Sequence, residues 1–67
     1  MEIASYKEVI LLLNSSYDSS LVLKIIGQLF DKDGFIAKQN LEDALIYVSF
    51  DHNEIADIID STTWKRV

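Results

Sequence analysis

The chain has 67 residues, 49% of them hydrophobic, with no cysteine and a formal net charge of −5. This length allows a single domain, residues 1–67, with a small core. Without cysteine the chain can form neither disulfides nor thiolate metal sites. No apolar run approaches the roughly 20 residues of a membrane span, so we expect a cytoplasmic protein that does not bind membranes.

The negative charge is concentrated in the second half of the sequence. Residues 31–60 contain eight acidic residues and two lysines, a net charge of −6, whereas the charged residues of the tail are Lys65 and Arg66. Binding to the nucleic-acid backbone requires Lys and Arg to neutralise phosphates, so a nucleic-acid partner is not expected. An acidic surface suits a basic protein partner.

Polar clusters divide the sequence into four apolar-periodic segments, each of which predicts a helix. The first helix is predicted at about residues 5–13, with Ser5 and Glu8 at capping-box spacing, although the run VILLL at 9–13 could equally be a buried strand. The second is predicted at about 20–30, and the third begins at 38 or 40 and ends near 48. The fourth follows Asp51, which stands at capping-box spacing from Glu54.

Four helices of about ten residues predict an all-α fold, a short helical bundle. The chain contains no proline, and its two glycines are Gly27 and Gly34. Residues 62–64 could extend the fourth helix or form a brief strand.

The order of these helices and polar loops is that of one EF-hand lobe. In the segment YKEVILLLNSSYDSSLVLKIIGQL, Asn14, Ser16 and Asp18 fall at the first, third and fifth loop positions, and Leu21 falls at the eighth. Over nearly its whole length the chain therefore resembles the calmodulin and myosin light chain group. The resemblance implies two degenerate helix-loop-helix units, paired by a minimal antiparallel β contact through Leu21 and Ile55.

The second loop of the lobe would be the segment SFDHNEIADII. Its residues at ligand spacing are Ser49, Asp51 and Asn53. A rival register makes DKDGFIAKQNLE the loop, with Asp31, Asp33 and Glu42 at the first, third and twelfth positions. Calcium needs six to eight oxygens, normally including a bidentate Glu at the twelfth position. The first loop has Ile25 there, and the other loops are also incomplete, so no metal or other cofactor is expected.

The residues offer little for catalysis. The single histidine, His52, lies in a polar loop, and the serines occupy turn-like clusters. Carboxylate pairs such as Asp57 and Asp60 lie at helical spacing without a companion base or ligand, which is typical of solvated charge. The chain is therefore not expected to be an enzyme.

The resemblance implies a calcium-independent binding module that grips a basic amphipathic helix, such as an IQ-type segment of a myosin heavy chain neck. Inward apolar residues of the four helices would line the groove, and acidic residues would orient the partner. The free protein would be a monomer. The candidate groove residues are Val9, Leu13, Leu21, Ile25, Leu41, Leu45, Ile55, Ile59 and Trp64.

Two alternative functions are considered for the same sequence. A small acidic regulator of bacterial or phage type, such as an inhibitor, antitoxin or immunity protein, would cover a basic surface of its target. A winged-helix domain would use GFIA and TWKRV as strands, but its recognition helix would be the acidic segment DHNEIADIID, which disfavours DNA binding.

Overall fold

The computed structural model describes residues 1–29 and 34–67. Each of the first two strands is followed by two helices, and a third strand comes last. The elements are β1 (Glu2–Ser5), α1 (Tyr6–Ser16), α2 (Ser19–Ile26), β2 (Phe35–Ala37), α3 (Lys38–Tyr47), α4 (His52–Ser61) and β3 (Lys65–Arg66).

The prediction of an all-α fold is wrong, because a three-stranded antiparallel sheet accompanies the helices. The strand order is β2-β1-β3, with Ile3 opposite Ala37 in one pair and opposite Lys65 in the other. The strands have two to four residues, too few for the alternation that identifies a strand in a sequence. The correct architecture is mixed α/β.

The position of the sheet also contradicts the EF-hand-like lobe. The predicted β contact runs through Leu21 and Ile55, but these residues lie inside α2 and α4. The observed strands instead precede α1 and α3 and follow α4. β2 and β3 fall in the segments GFIA and TWKRV, which the winged-helix alternative assigns to strands, whereas β1 is not predicted and only its last residue, Ser5, falls in the predicted first helix.

The helices themselves agree with the predicted segments, with shifted ends. α1 includes residues 9–13, so the VILLL run is helical, and it continues to Ser16. α2 stops at Ile26, before Gly27. Beyond α4, the Thr62 hydroxyl donates to the Ile58 carbonyl at 2.8 Å, and the Trp64 indole N–H donates to the Ile59 carbonyl at 2.9 Å. These bonds satisfy carbonyls that every helix leaves open at its C-terminus.

Two halves of the molecule repeat the same strand-helix-helix unit. β1, α1 and α2 form the first half, and β2, α3 and α4 form the second. The motif Ile-Ala begins both units, and Ile3 pairs with Ala37 while Ala4 pairs with Ile36. The first strands of the two units therefore pair with each other, and each turns one residue into the core, Ala4 in β1 and Ile36 in β2.

Equivalent residues meet again where the helices connect. Tyr17 lies between α1 and α2, and Phe50 lies between α3 and α4. Their rings contact edge to face with centroids 5.1 Å apart, a geometry that the ring quadrupoles favour. The residues that follow, Asp18 and Asp51, are the N-caps of α2 and α4.

One hydrophobic core joins the halves, and it contains no buried polar side chain within the described residues. Equivalent positions contribute equivalent residues, such as Leu13 and Leu45, both with 0% exposure. The buried residues are Ala4, Val9, Leu13, Val22, Ile25, Leu29, Ile36, Leu41, Ala44, Leu45, Ile58 and Ile59. Among the helices of residues 1–29 and 34–67, none has the length and apolar character to cross a membrane.

Candidate protein-binding site

The structure places most of the predicted groove residues in the core. Val9, Leu13, Ile25, Leu41 and Leu45 are all 0% exposed. A partner bound to the closed domain would find almost no surface on these side chains. Their apolar periodicity reflects the contacts between the two halves.

The remaining predicted groove residues are nearer the surface. Leu21 and Ile55 are half-buried, and Ile59 is buried at 9% exposure. Trp64 is half-buried, packs against the core and donates its indole N–H to the end of α4. Trp64 therefore closes the α4 end of the core.

An open groove lies between the C-terminal end of α1 and the exposed side of α4. Its volume is about 180 Å³. We call it the acidic groove, and it is lined by Leu12, Leu13, Ser16, Tyr17, Asp57, Ile58 and Ser61. Leu13 and Ile58 lie buried at its base, Leu12 is half-buried at its side, and Asp57 is an exposed acidic residue in its lining.

Negative charge surrounds the phenol of Tyr17 at one side of this groove. Partial burial, followed by the charges of Glu54, Asp57 and Asp51, raises the pKa of the Tyr17 hydroxyl above its ordinary value of 10.0. The same three carboxylates that disfavour a tyrosinate favour a cation at this position. The groove thus combines apolar side chains with a negative potential.

A second groove lies between α2 of the first half and the end of α3 of the second half. Its volume is about 430 Å³. We call it the basic groove, and it is lined by Leu21, Lys24, Gly27, Gln28, Tyr47, Val48 and Ser49. Lys24 in α2 and Asp57 in α4 stand at the same position along the second helix of their halves. The two grooves therefore carry opposite charges.

The residues at predicted calcium-ligand spacing have other roles. Asn14 and Ser16 belong to the last turn of α1. The Asp18 carboxylate accepts the Leu21 N–H at 3.0 Å and the Ser20 hydroxyl at 2.9 Å. These hydrogen bonds, in that order of importance, lower the pKa of the Asp18 carboxyl below its ordinary value of 3.8.

Most of the second predicted loop belongs to helix α4 or to its N-cap. Asp51 caps this helix, Asn53 lies within it, and Ser49 adopts a left-handed backbone with φ of 70°. In residues 1–29 and 34–67 no three His, Cys, Asp or Glu side chains are grouped so that they could hold a metal. Asp31 and Asp33 of the rival loop lie outside the described residues.

Sequence reasoning missed the residues that give the acidic groove its character, Leu12, Tyr17, Asp57 and Ser61. Asp57 was interpreted as solvated charge, and it is exposed, but its neighbours could not be known before α1 and α4 were placed together. The available signal was the run of three leucines at 11–13, since one helix face cannot bury all of them. Leu11 is 70% exposed and Leu13 is fully buried, with Leu12 between these extremes at the groove.

Comparison of the chain with protein-family models, with curated proteins and with solved structures gives no match.

Proposed function

We propose that this chain is a non-catalytic, cytoplasmic protein-binding module that holds a basic amphipathic helix in its acidic groove without a metal. The observation that carries the proposal is that Asp57, an exposed acidic residue, lines an open groove together with Leu12 and Ile58. A helix with Lys or Arg next to an apolar side chain complements both properties. The myosin neck is not part of the proposal, because it depended on the EF-hand-like lobe.

The size of the groove supports a protein partner. Its volume of about 180 Å³ is below the roughly 300–1,000 Å³ of sites that enclose small molecules. A partner helix would insert one large side chain and lie across the rest of the surface. Asp51 and Glu54, whose charges reach Tyr17, would face the basic residues on either side of that anchor.

Calorimetry with basic amphipathic peptides tests this proposal. Each peptide is measured in the presence of a chelator against a scrambled peptide of equal charge, and we expect the amphipathic peptide to bind more tightly. Asp57→Asn should weaken its binding by about two- to fivefold, the effect of losing one exposed ion pair. Asp43→Asn is the matched control, because Asp43 is an exposed acid on α3 that lines neither groove.

A second substitution separates burial from charge. Leu12→Ala removes apolar contact without changing the charge, and it should mainly accelerate dissociation, whereas added salt should mainly slow association. If no amphipathic peptide binds better than its scrambled control, the proposal fails. Binding to intact basic proteins but to no isolated helix would favour the small acidic regulator, which covers a folded surface.

A further inference from the structure

The opposite charges of the two grooves suggest that they are complementary to each other. Each groove is formed by the end of the first helix of one half and the second helix of the other half. Asp57 projects into the first and Lys24 into the second at equivalent positions. Within residues 1–29 and 34–67, Lys24 forms no ion pair, in contrast to Lys38, which lies 3.6 Å from Glu2.

One exposed aromatic side chain belongs to the basic groove. Tyr47 lines this groove and is 71% exposed. The lining of the acidic groove contains Leu12, which is half-buried. The Tyr47 ring of one molecule could therefore bury apolar area beside Leu12 of another.

We propose that a second copy of this chain is the occupant, docking its basic groove onto the acidic groove of the first. Lys24 of one copy would pair with Asp57 of the other, and Tyr47 would insert beside Leu12. The charges of Lys24 and Asp57 are opposite, and the acidic groove is open where the exposed ring of Tyr47 would enter it. In such a pair, the first copy keeps its basic groove free and the second copy keeps its acidic groove free. Further copies can bind at these grooves, so copies add head to tail into open chains.

This self-contact and the proposed partner helix use the same acidic groove. A basic helix should therefore disperse the chains of copies, although the self-contact does not depend on the existence of such a partner. Self-association is measured on the protein alone and helix binding is measured with peptides. Either proposal can therefore fail without the other.

Sedimentation velocity measures the self-association across a dilution series from about 10 μM to 1 mM, the range expected for small, transient interfaces. The weight-average sedimentation coefficient should rise steadily with concentration and fall when salt is added. Lys24→Glu and Asp57→Lys should each weaken association at least about tenfold, because like charges would then face each other. The double variant Lys24→Glu/Asp57→Lys exchanges the charges and should recover association.

Three controls separate the contact from general charge and from folding. Lys7→Glu and Glu8→Lys make the same charge changes at exposed positions outside both grooves and should retain association. Tyr47→Ser keeps the charge and should lose it, with circular dichroism verifying the helices of every variant. A wild type that stays monomeric up to about 1 mM, charge controls that weaken association equally, or a double variant that does not recover would each overturn the proposal.

Discussion

Asp18 and Asp51 show how the same residue, at equivalent positions, begins the second helix of each half. The Asp18 carboxylate accepts the Leu21 N–H, and the Asp51 carboxylate accepts the Glu54 N–H at 2.8 Å. The first turn of a helix has N–H groups without intrahelical partners, and an acidic cap satisfies one of them. The carboxylates of Asp18 and Asp51, which lie at calcium-ligand spacing in the sequence, are helix caps in this structure.

The capping role predicts that calcium has no specific effect. A calcium site would need the Asp18 oxygens together with others at 14 and 16, but those positions are helical, and one side chain cannot replace six to eight ligands. Titration of calcium to about 1 mM, the weak end of the EF-hand range, should leave the amide NMR shifts in place. Asp18→Asn provides the comparison for any non-specific response. Saturable shifts in residues 14–25 or 49–60 at micromolar calcium would contradict this expectation.

At the scale of the element, two identical sequence spacings produce different structures. Ser5 and Glu8 precede α1 at capping-box spacing, but the Ser5 side chain forms no capping hydrogen bond. Ser5 is also the last residue of β1, paired with Phe35. Asp51 and Glu54 form the complete box, with the Asp51 N–H donating to the Glu54 carboxylate at 3.4 Å.

This difference predicts unequal costs for two matched substitutions. Asp51→Ala should lower the free energy of unfolding by about 0.5–2 kcal/mol, the usual effect of removing an N-cap. Ser5 also occupies the N-cap position of its helix, but its side chain forms no capping hydrogen bond. Ser5→Ala should therefore change the free energy of unfolding by no more than about 0.5 kcal/mol. Urea denaturation followed by circular dichroism measures both. Equal losses would mean that Ser5 caps α1 in solution or that Asp51 does not cap α4.

The elements differ in how much of them the sequence could predict. The helices were recognisable because each has several turns of apolar periodicity, and the Asp51 box marked the start of α4 correctly. The strands were harder to recognise. β1 buries one residue, Ala4, and β2 buries one residue, Ile36, so neither strand shows an apolar alternation. A strand of this length is stabilised by pairing with a distant segment, which local sequence does not encode.

At the scale of the whole molecule, the contact between the two strand-helix-helix units determines what is core and what is surface. Helical periodicity identified Leu13, Leu41 and Leu45 as members of apolar faces, and all three are fully buried. It did not show that the other half covers those faces, and so the sequence predicted a partner groove where the protein contains its own core. The acidic groove arises only when α1 and α4, from different halves, come together.

The core predicts a clear ranking of large-to-small substitutions. Leu45→Ala and Ile25→Ala remove fully buried side chains from α3 and α2, and each should lower the free energy of unfolding by about 2–5 kcal/mol. Ile55→Ala should cost less, because Ile55 is half-buried. Ile46→Ala is the matched control, since Ile46 adjoins Leu45 in α3 but is 60% exposed.

The expected losses are a large fraction of the whole stability of a domain, which is about 5–15 kcal/mol. Both halves contribute buried residues to one shared core. Urea titrations at low temperature should therefore give midpoints ordered from Ile46→Ala, the most stable variant, through Ile55→Ala to the two buried substitutions. A variant already unfolded without urea takes the lowest place in this order. If Leu45→Ala and Ile46→Ala lower the midpoint equally, then the face of α3 that packs against the other half has been assigned incorrectly.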